Sequence, residues 1–124
     1  MKGVLVLAHG SQRKETEETL GLVIDMLREE LLSANEAMVV EKAFLQFSDN
    51  NLHTGLKSLA DKGIGDILLV PYFLFEGVHF VEDIPNEIAE FSKLYPDILI
   101  RLAKPLGADR RLAQILKDRI TEMS

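Results

Sequence analysis

Short apolar runs alternate with longer stretches of helical periodicity along the whole chain. Residues 4–8 form an unbroken apolar run, which is typical of a strand buried on both faces. Similar runs at 37–47, 67–70 and 98–100 predict three more strands, the first of them interrupted by charges. Apolar residues at helical spacing between and after these runs predict four amphipathic helices. The residues that mark them are Leu20, Val23, Ile24, Leu27 and Leu31; Leu52, Leu56, Leu59 and Ala60; Ile84, Ile88 and Phe91; and Leu112, Ile115, Leu116 and Ile120.

Residues typical of helix ends stand at the expected places. Ser11 is a candidate N-cap for the first helix, predicted over 12–33. Gly63 is placed to end the second helix. Asp83 is a candidate cap for the third helix, with Pro85 in its first turn.

The predicted order is βαβαβαβα, and helical crossovers between successive strands require a parallel sheet. We therefore expect an α/β fold: one domain over residues 1–124, with a four-stranded parallel sheet flanked by helices. By analogy with flavodoxin-like proteins we expect strand order 2-1-3-4, in which ligands bind beyond the carboxyl ends of strands 1 and 3. The chemistry should then follow Ala8 and Val70 directly.

The amino-acid composition excludes several classes of function. The 124 residues include no cysteine, which excludes disulfides, thiolate metal sites and cysteine nucleophiles. With 14 basic against 20 acidic residues the formal charge is −6, and no dense basic segment offers a nucleic-acid surface. No apolar stretch approaches the roughly 20 residues of a membrane span, and residues 1–3 lead into the first strand without a signal-peptide pattern. We expect a cytoplasmic domain that binds neither nucleic acid nor membrane.

Two histidines follow the strands at which a ligand is expected. His9 comes directly after strand 1, before Gly10, and His79 lies in the loop after strand 3. If those strands are neighbours, roughly 4.8 Å apart, the two imidazoles can face each other across one cleft. Two imidazoles suit Co²⁺, Ni²⁺ or Fe²⁺ and hold it loosely, as a metal that is handed over requires. The alternative for His9 is a partly exposed polar residue in a capped turn.

Other residues near the same edge admit two interpretations each. The apolar loop with Phe73 and Leu74 could form a wall for a flat ligand or pack into the core. Asp49 could face the site or cap the second helix. His53, in the first turn of that helix, is expected at the surface. Acidic residues flanking His79 could orient its ring or be solvated; they are Glu76, Glu82 and Asp83.

Several segments together resemble the CbiX-type class II tetrapyrrole chelatases, which insert a divalent metal into sirohydrochlorin. The segments are LAHGS at 7–11, AFLQF at 43–47, VPYFL at 70–74, GVH at 77–79 and DIP at 83–85. The resemblance implies a sirohydrochlorin cobaltochelatase-type lyase of tetrapyrrole and cobalamin biosynthesis, with Co²⁺, Ni²⁺ or Fe²⁺ as co-substrate and no tightly bound cofactor. The length matches the short form of the family, which implies a homodimer.

The resemblance also implies residue roles. His9 and His79 would bind the metal and carry the proton chemistry, with His9 as proton acceptor. Two positions depart from the family pattern: Gln46 stands where Glu is usual, and Asp49 where Glu is commoner. The implied substrate contacts are Asp49, Leu74, Phe75, Glu76, Gly77, Val78 and His79.

Three expectations follow for the whole molecule. The substrate carboxylates should meet the start of the first helix, Arg13 or Lys14, because the chain as a whole is acidic. The alternative to catalysis is a module that binds a tetrapyrrole or a metal without turnover, which Gln46 favours. The candidate dimer contacts, which could instead fold inward, are Phe75, Val78 and Phe80.

Overall fold

The computed structural model of the chain describes residues 1–77 and 82–124. Strands and helices alternate through these residues in the predicted order. They are β1 (Lys2–Ala8), α1 (Lys14–Ser33), β2 (Met38–Phe44), α2 (Leu52–Asp61), β3 (Asp66–Pro71), α3 (Ile84–Leu94), β4 (Leu99–Leu102) and α4 (Arg110–Glu122).

The four strands form one parallel sheet in the order β2-β1-β3-β4. In the register, Leu5 of β1 lies between Glu41 of β2 and Leu69 of β3. The predicted fold class and strand order are confirmed. The carboxyl ends of β1, β2 and β3 therefore meet at one edge of the sheet, which carries the segments after Ala8 and Val70.

The central strand β1 is buried on both faces, as its unbroken apolar run predicts. Leu5 and Leu7 pack with α2 and α3 on one face. Val4 and Val6 pack with α1 on the other. A strand fixed from both sides gives the residue that follows it a rigid support.

Two of the predicted element boundaries are wrong at the carboxyl edge. β2 ends at Phe44 and not at Phe47, because the Phe44 N–H donates to the Asn50 carbonyl at 2.8 Å, closing a loop. Ser11 does not cap α1. The helix begins at Lys14, and the Ser11 hydroxyl accepts the backbone N–H of Arg13 at 3.0 Å instead.

The other helix ends follow local chemistry. Asn51 caps α2, its side chain accepting the Thr54 N–H at 2.9 Å. Gly63 ends that helix as predicted, with φ of 82° and its N–H donating to Ala60. Asp83 occupies the N-cap position of α3, with Pro85 in the first turn, so the predicted cap is confirmed in position; its side chain makes no capping hydrogen bond to the helix. No helix among the described residues combines the length and the apolarity of a membrane span.

Candidate active site

The site is built around His9, the first residue after β1, which is exposed at the carboxyl edge of the sheet. Its carbonyl accepts the Gln46 N–H at 3.1 Å, and the Ala8 carbonyl accepts the Leu45 N–H at 2.9 Å. The imidazole stacks on the ring of Phe73, with centroids 4.2 Å apart and an interplanar angle of 26°. His9 is thus held between the segments that follow β2 and β3, at the place the topology predicts for a ligand.

Gly10 allows the tip of β1 and the segment after β2 to come into direct contact. Its φ is +89°, in the left-handed region that favours glycine. A Cβ at this position would lie 2.2 Å from the Gln46 carbonyl oxygen. The tip of β1 and the segment after β2 therefore pack backbone against backbone, and the direction of His9 depends on that contact.

The apolar loop after β3 divides between core and surface. Phe73 is buried, so for this residue the core interpretation is correct. Leu74 and Phe75 are exposed, Phe75 to 79%. Glu76 and Gly77 follow them at the surface. Leu74 and Phe75 are therefore available as an apolar wall next to His9. Phe73 instead supports the imidazole by stacking on one face of its ring.

This loop is tied to the segment that follows β4. The Phe73 carbonyl accepts the Leu106 N–H at 2.8 Å, and the Leu74 carbonyl accepts the Gly107 N–H at 3.0 Å. The exposed side chains of the loop thus start from a backbone held on two sides.

Three of the predicted residues, Val78, His79 and Phe80, lie outside the described residues. The facing of His9 and His79 across a cleft stays a prediction. Among residues 1–77 and 82–124, no three His, Asp or Glu side chains are grouped so as to hold a metal ion.

Phe47 is a residue of the candidate site that the sequence reasoning missed. It is 58% exposed, and its φ of 60° is uncommon for a residue with a side chain. The apolar run that extended strand 2 to Phe47 concealed the turn, although the polar run 48–51 directly after it was a signal. Phe47 borders a groove of about 240 Å³ at the start of α1. The groove is lined by Gly10, Ser11, Gln12, Arg13, Lys14, Thr16, Glu17, Phe44, Gln46, Phe47 and Ser48.

Asp49 lies on the same loop and is exposed. Because Asn51 caps α2, the alternative in which Asp49 serves as that cap is wrong. Asp49 is thus placed at the carboxyl edge, near the residues that border the groove.

His53 lies in the first turn of α2, exposed as expected, with its ring edge-on to Phe91 of α3 at 5.6 Å. The neighbouring Glu87 has a raised pKa, first because burial disfavours its charge and second because the Asp83 carboxylate repels it. The nearby His53 partly offsets this. These residues lie between α2 and α3, whereas His9 stacks on the loop after β3.

The comparison with known proteins agrees with this architecture. The family model of CbiX matches residues 3–123. The chain belongs to the CbiX family. A relative from Sulfurisphaera tokodaii, a sirohydrochlorin cobaltochelatase, is 33% identical over 123 residues, covering 99% of this chain and 94% of that protein.

Other relatives are about twice as long. The sirohydrochlorin ferrochelatase of Priestia megaterium is 30% identical, over 98% of this chain but 44% of its own length. The crystal structure of the sirohydrochlorin chelatase SirB from Bacillus subtilis subspecies spizizenii, in complex with cobalt, superposes with a TM-score of 0.83 at 28% identity. The match covers 98% of this chain and 50% of SirB. The chain thus matches a short CbiX protein as a whole and a longer one by half.

Proposed function

We propose that this chain is a sirohydrochlorin metallochelatase with cobalt as its metal substrate. The observation that carries the proposal is the exposed imidazole of His9, stacked on Phe73 at the edge where ligands of such a sheet bind. The substrate is taken from the relatives, which include sirohydrochlorin cobaltochelatases and ferrochelatases.

His9 is suited to act as proton acceptor. Insertion of a metal into the macrocycle displaces two protons from pyrrole nitrogens, and a neutral imidazole near those nitrogens can take them. The stacking on Phe73 and the hydrogen bond from Gln46 hold His9 in one orientation. A proton acceptor held in this way needs no rearrangement when the macrocycle arrives.

The metal is a substrate in this proposal, and its binding must be weak enough for transfer. We assign its ligands to His9 and His79, as the resemblance implies, because two imidazoles leave the remaining positions of the ion open for the macrocycle. Imidazole accepts Co²⁺, Ni²⁺ and Fe²⁺ alike. The choice of cobalt therefore rests on the relatives. Ni²⁺ and Fe²⁺ can replace Co²⁺ in the same assay as alternative metal substrates.

The macrocycle would lie between apolar and polar surfaces. Leu74 and Phe75 offer an apolar wall on one side of His9, and Phe47 offers an aromatic ring on another segment of the same edge. The substrate carboxylates would meet Arg13, Lys14 and the backbone N–H groups at the start of α1, next to the groove described above. Lys14 is then a local positive charge for these carboxylates, together with Arg13, which also contacts Glu15 at 3.6 Å. Three of the remaining predicted contacts lie at the same edge: Asp49, Glu76 and Gly77. The fourth, Val78, lies outside the described residues.

We also propose a homodimer, since the chain is half as long as relatives such as SirB. Phe75, one of the predicted contacts, is available for it at 79% exposure. Val78 and Phe80 lie outside the described residues. The cytoplasmic location stays a prediction.

The proposal is tested by mixing the purified protein with sirohydrochlorin and Co²⁺ and following the visible spectrum. We expect insertion faster than the uncatalysed reaction, and a fall of about 10²–10⁴-fold in His9→Ala, the range for losing a proton acceptor. The insertion rate of the His79→Ala variant should fall strongly as well. His53→Ala is the matched control and should keep its rate, because this exposed histidine contacts α3.

The outcomes separate the two functions that the sequence leaves open. A rate equal to the uncatalysed one would refute the enzyme. If the macrocycle spectrum then still shifted on mixing with the protein alone, the chain would be a tetrapyrrole-binding module. Equal damage from His53→Ala and His9→Ala would show that the site is wrongly placed.

A further inference from the structure

A further groove lies at the carboxyl edge of the sheet, on the face that carries α1. Its volume is about 340 Å³, and it runs between the first turns of α1 and the residue that follows β3. Two buried apolar side chains, Ala8 and Leu20, form its floor. Side chains that donate hydrogen bonds line the rest of it, and they are Arg13, Thr16, Thr19 and Tyr72. We call this the Tyr72 groove.

The Tyr72 groove adjoins the proposed proton acceptor. Ala8 directly precedes His9 in the chain, and Tyr72 directly precedes Phe73, on which the His9 imidazole stacks at 4.2 Å. Ala8 packs in the core on the α1 side, whereas Phe73 packs in the core on the other face. Because successive side chains alternate between the two faces of a sheet, the groove and the imidazole lie on opposite sides of the same strand ends. A macrocycle placed over His9 would therefore reach the groove with a side chain and not with its ring.

The hydroxyl groups of the groove come from two elements and have firm supports. The Tyr72 N–H donates to the Leu7 carbonyl at 2.7 Å, and Pro71 before it is buried. The Tyr72 side chain itself is not buried, since the residue is 39% exposed. Thr16 and Thr19 are three residues apart on α1, so their side chains lie on the same side of the helix. The backbone of the groove is thus fixed, while its donors remain accessible to a ligand.

The size and the chemistry of the groove match a short alkyl carboxylate. Its volume is near the lower limit for small-molecule sites, which is too small for a tetrapyrrole ring. Hydroxyl groups donate hydrogen bonds to carboxylate oxygens, and the Arg13 guanidinium adds a permanent positive charge. The methylene groups of such a ligand would lie on the apolar floor of Ala8 and Leu20.

We propose that the Tyr72 groove binds one carboxylate side chain of the macrocycle while the ring lies over His9, with the Tyr72 hydroxyl as a specificity-determining donor. This inference rests on the proposed function, because the macrocycle is its substrate. Arg13 borders both this groove and the groove beside Phe47. Its guanidinium is therefore placed to serve carboxylates on either side of the start of α1.

Glu15 is the acidic residue of the groove and competes with the ligand. Its Oε2 lies 3.6 Å from Nε of Arg13, and the two side chains are 66% and 78% exposed. An ion pair this exposed is weak, so a substrate carboxylate can take the place of Glu15 beside the guanidinium. The inference thus predicts effects of opposite sign for the donors of the groove and for Glu15.

Fluorescence titration with metal-free sirohydrochlorin measures the binding directly. Tyr72→Phe removes only the hydroxyl and should raise the Kd about tenfold, the effect of losing a hydrogen bond to a charged group. In the cobalt-insertion assay the same variant should raise KM and keep kcat, because the contact is equal in the ground state and the transition state. Tyr95→Phe is the matched control, since Tyr95 stacks on Phe91 at the end of α3 and should bind as the natural chain does.

Charge variants test the ligand class. Arg13→Gln should raise the Kd for sirohydrochlorin, and the increase should shrink at high salt because screening weakens exposed charges. Glu15→Gln should lower the Kd by about two- to threefold, since it removes the competing carboxylate. Glu29→Gln, an exposed change near the other end of α1, is its control. Weaker binding by Glu15→Gln would contradict a carboxylate in this groove.

The remaining outcomes separate this inference from the chelatase proposal. If Tyr72→Phe bound sirohydrochlorin as tightly as Tyr95→Phe, or lowered kcat with KM unchanged, the inference would be overturned while the natural chain still inserted cobalt. A natural chain that bound no sirohydrochlorin would overturn both proposals. Thr19→Val, with Thr121→Val as its control on α4, replaces Tyr72→Phe if circular dichroism shows that this variant does not fold. The Kd should then rise for Thr19→Val alone, and equal Kd values for both threonine variants would overturn the inference.

Discussion

Replacing Gly10 by alanine tests the claim that direct backbone packing positions His9. Alanine at a φ of +89° costs about 1–2 kcal/mol, of which roughly 0.4–1 kcal/mol is returned by the stiffer unfolded chain. The new Cβ would lie 2.2 Å from the Gln46 carbonyl oxygen, so the two segments must separate by about 1.2 Å to reach an ordinary contact of 3.4 Å. That movement breaks the 3.1 Å hydrogen bond from Gln46 to His9, worth about 0.5–1.5 kcal/mol.

Gly63 provides a matched control for this substitution. Its φ is +82°, and a Cβ there would meet nothing within 4 Å. Gly63→Ala should lose about 1 kcal/mol of unfolding free energy and keep its activity, because Gly63 precedes β3 at the opposite edge of the sheet. Gly10→Ala should lower the unfolding free energy by about 2 kcal/mol or more. It should also lower the insertion rate by about 10²-fold, which is the effect of an ångström-scale misplacement of His9.

Urea unfolding and the cobalt-insertion assay measure these two quantities on the same preparations. The decisive comparison is between the two variants. If Gly10→Ala matched Gly63→Ala in both stability and rate, the contact between the tip of β1 and the segment after β2 would not position His9. A loss of stability without a loss of rate would show that the contact is structural only.

Two further predictions concern stability. Asn51→Ala should lower the unfolding free energy by about 1 kcal/mol, because the Thr54 N–H loses its cap, and urea unfolding should show Asp49→Ala near the natural value. Glu87→Gln should stabilise the fold at pH 7 more than at pH 4 in thermal unfolding. The raised pKa of Glu87 means that folding favours the protonated form, so the stability present below its unfolded pKa is lost as the pH rises through the folded pKa. An equal effect of Glu87→Gln at both pH values would contradict this.

The fold was predictable because pattern and packing agree. The unbroken apolar run of β1 requires cover on both faces, and the alternation of strands with helices supplies it. Gly63 and Pro85 mark helix ends by backbone chemistry that depends little on the rest of the fold. Strand order came from analogy with other α/β sheets and not from any residue.

Ser11 and Phe47 show where sequence reasoning failed. Both lie in loops whose shape is decided by local hydrogen bonds that hydrophobic periodicity does not reveal. Ser11 accepts a hydrogen bond from Arg13 within its own loop, and the helix starts later. Phe47 continues an apolar run, yet the chain has already turned at Phe44. A pattern of local periodicity contains neither contact, so the position of His9 was predictable while the groove beside it was not.

The exposed loop of the proposed site is tied to the segment that follows β4. The loop that carries Leu74 and Phe75 is hydrogen-bonded to residues 106–107, and α4 begins three residues later. The backbone of this loop is therefore held within the single chain, while the side chain of Phe75 stays exposed. His9 itself needs no such help, because β1 is buried on both faces. The rigid part of the site thus belongs to the single chain, whereas the cover of the exposed apolar wall would come from the proposed homodimer. This division would suit the proposed macrocycle, since its proton acceptor is fixed before binding and the second copy of the proposed homodimer would enclose the exposed face.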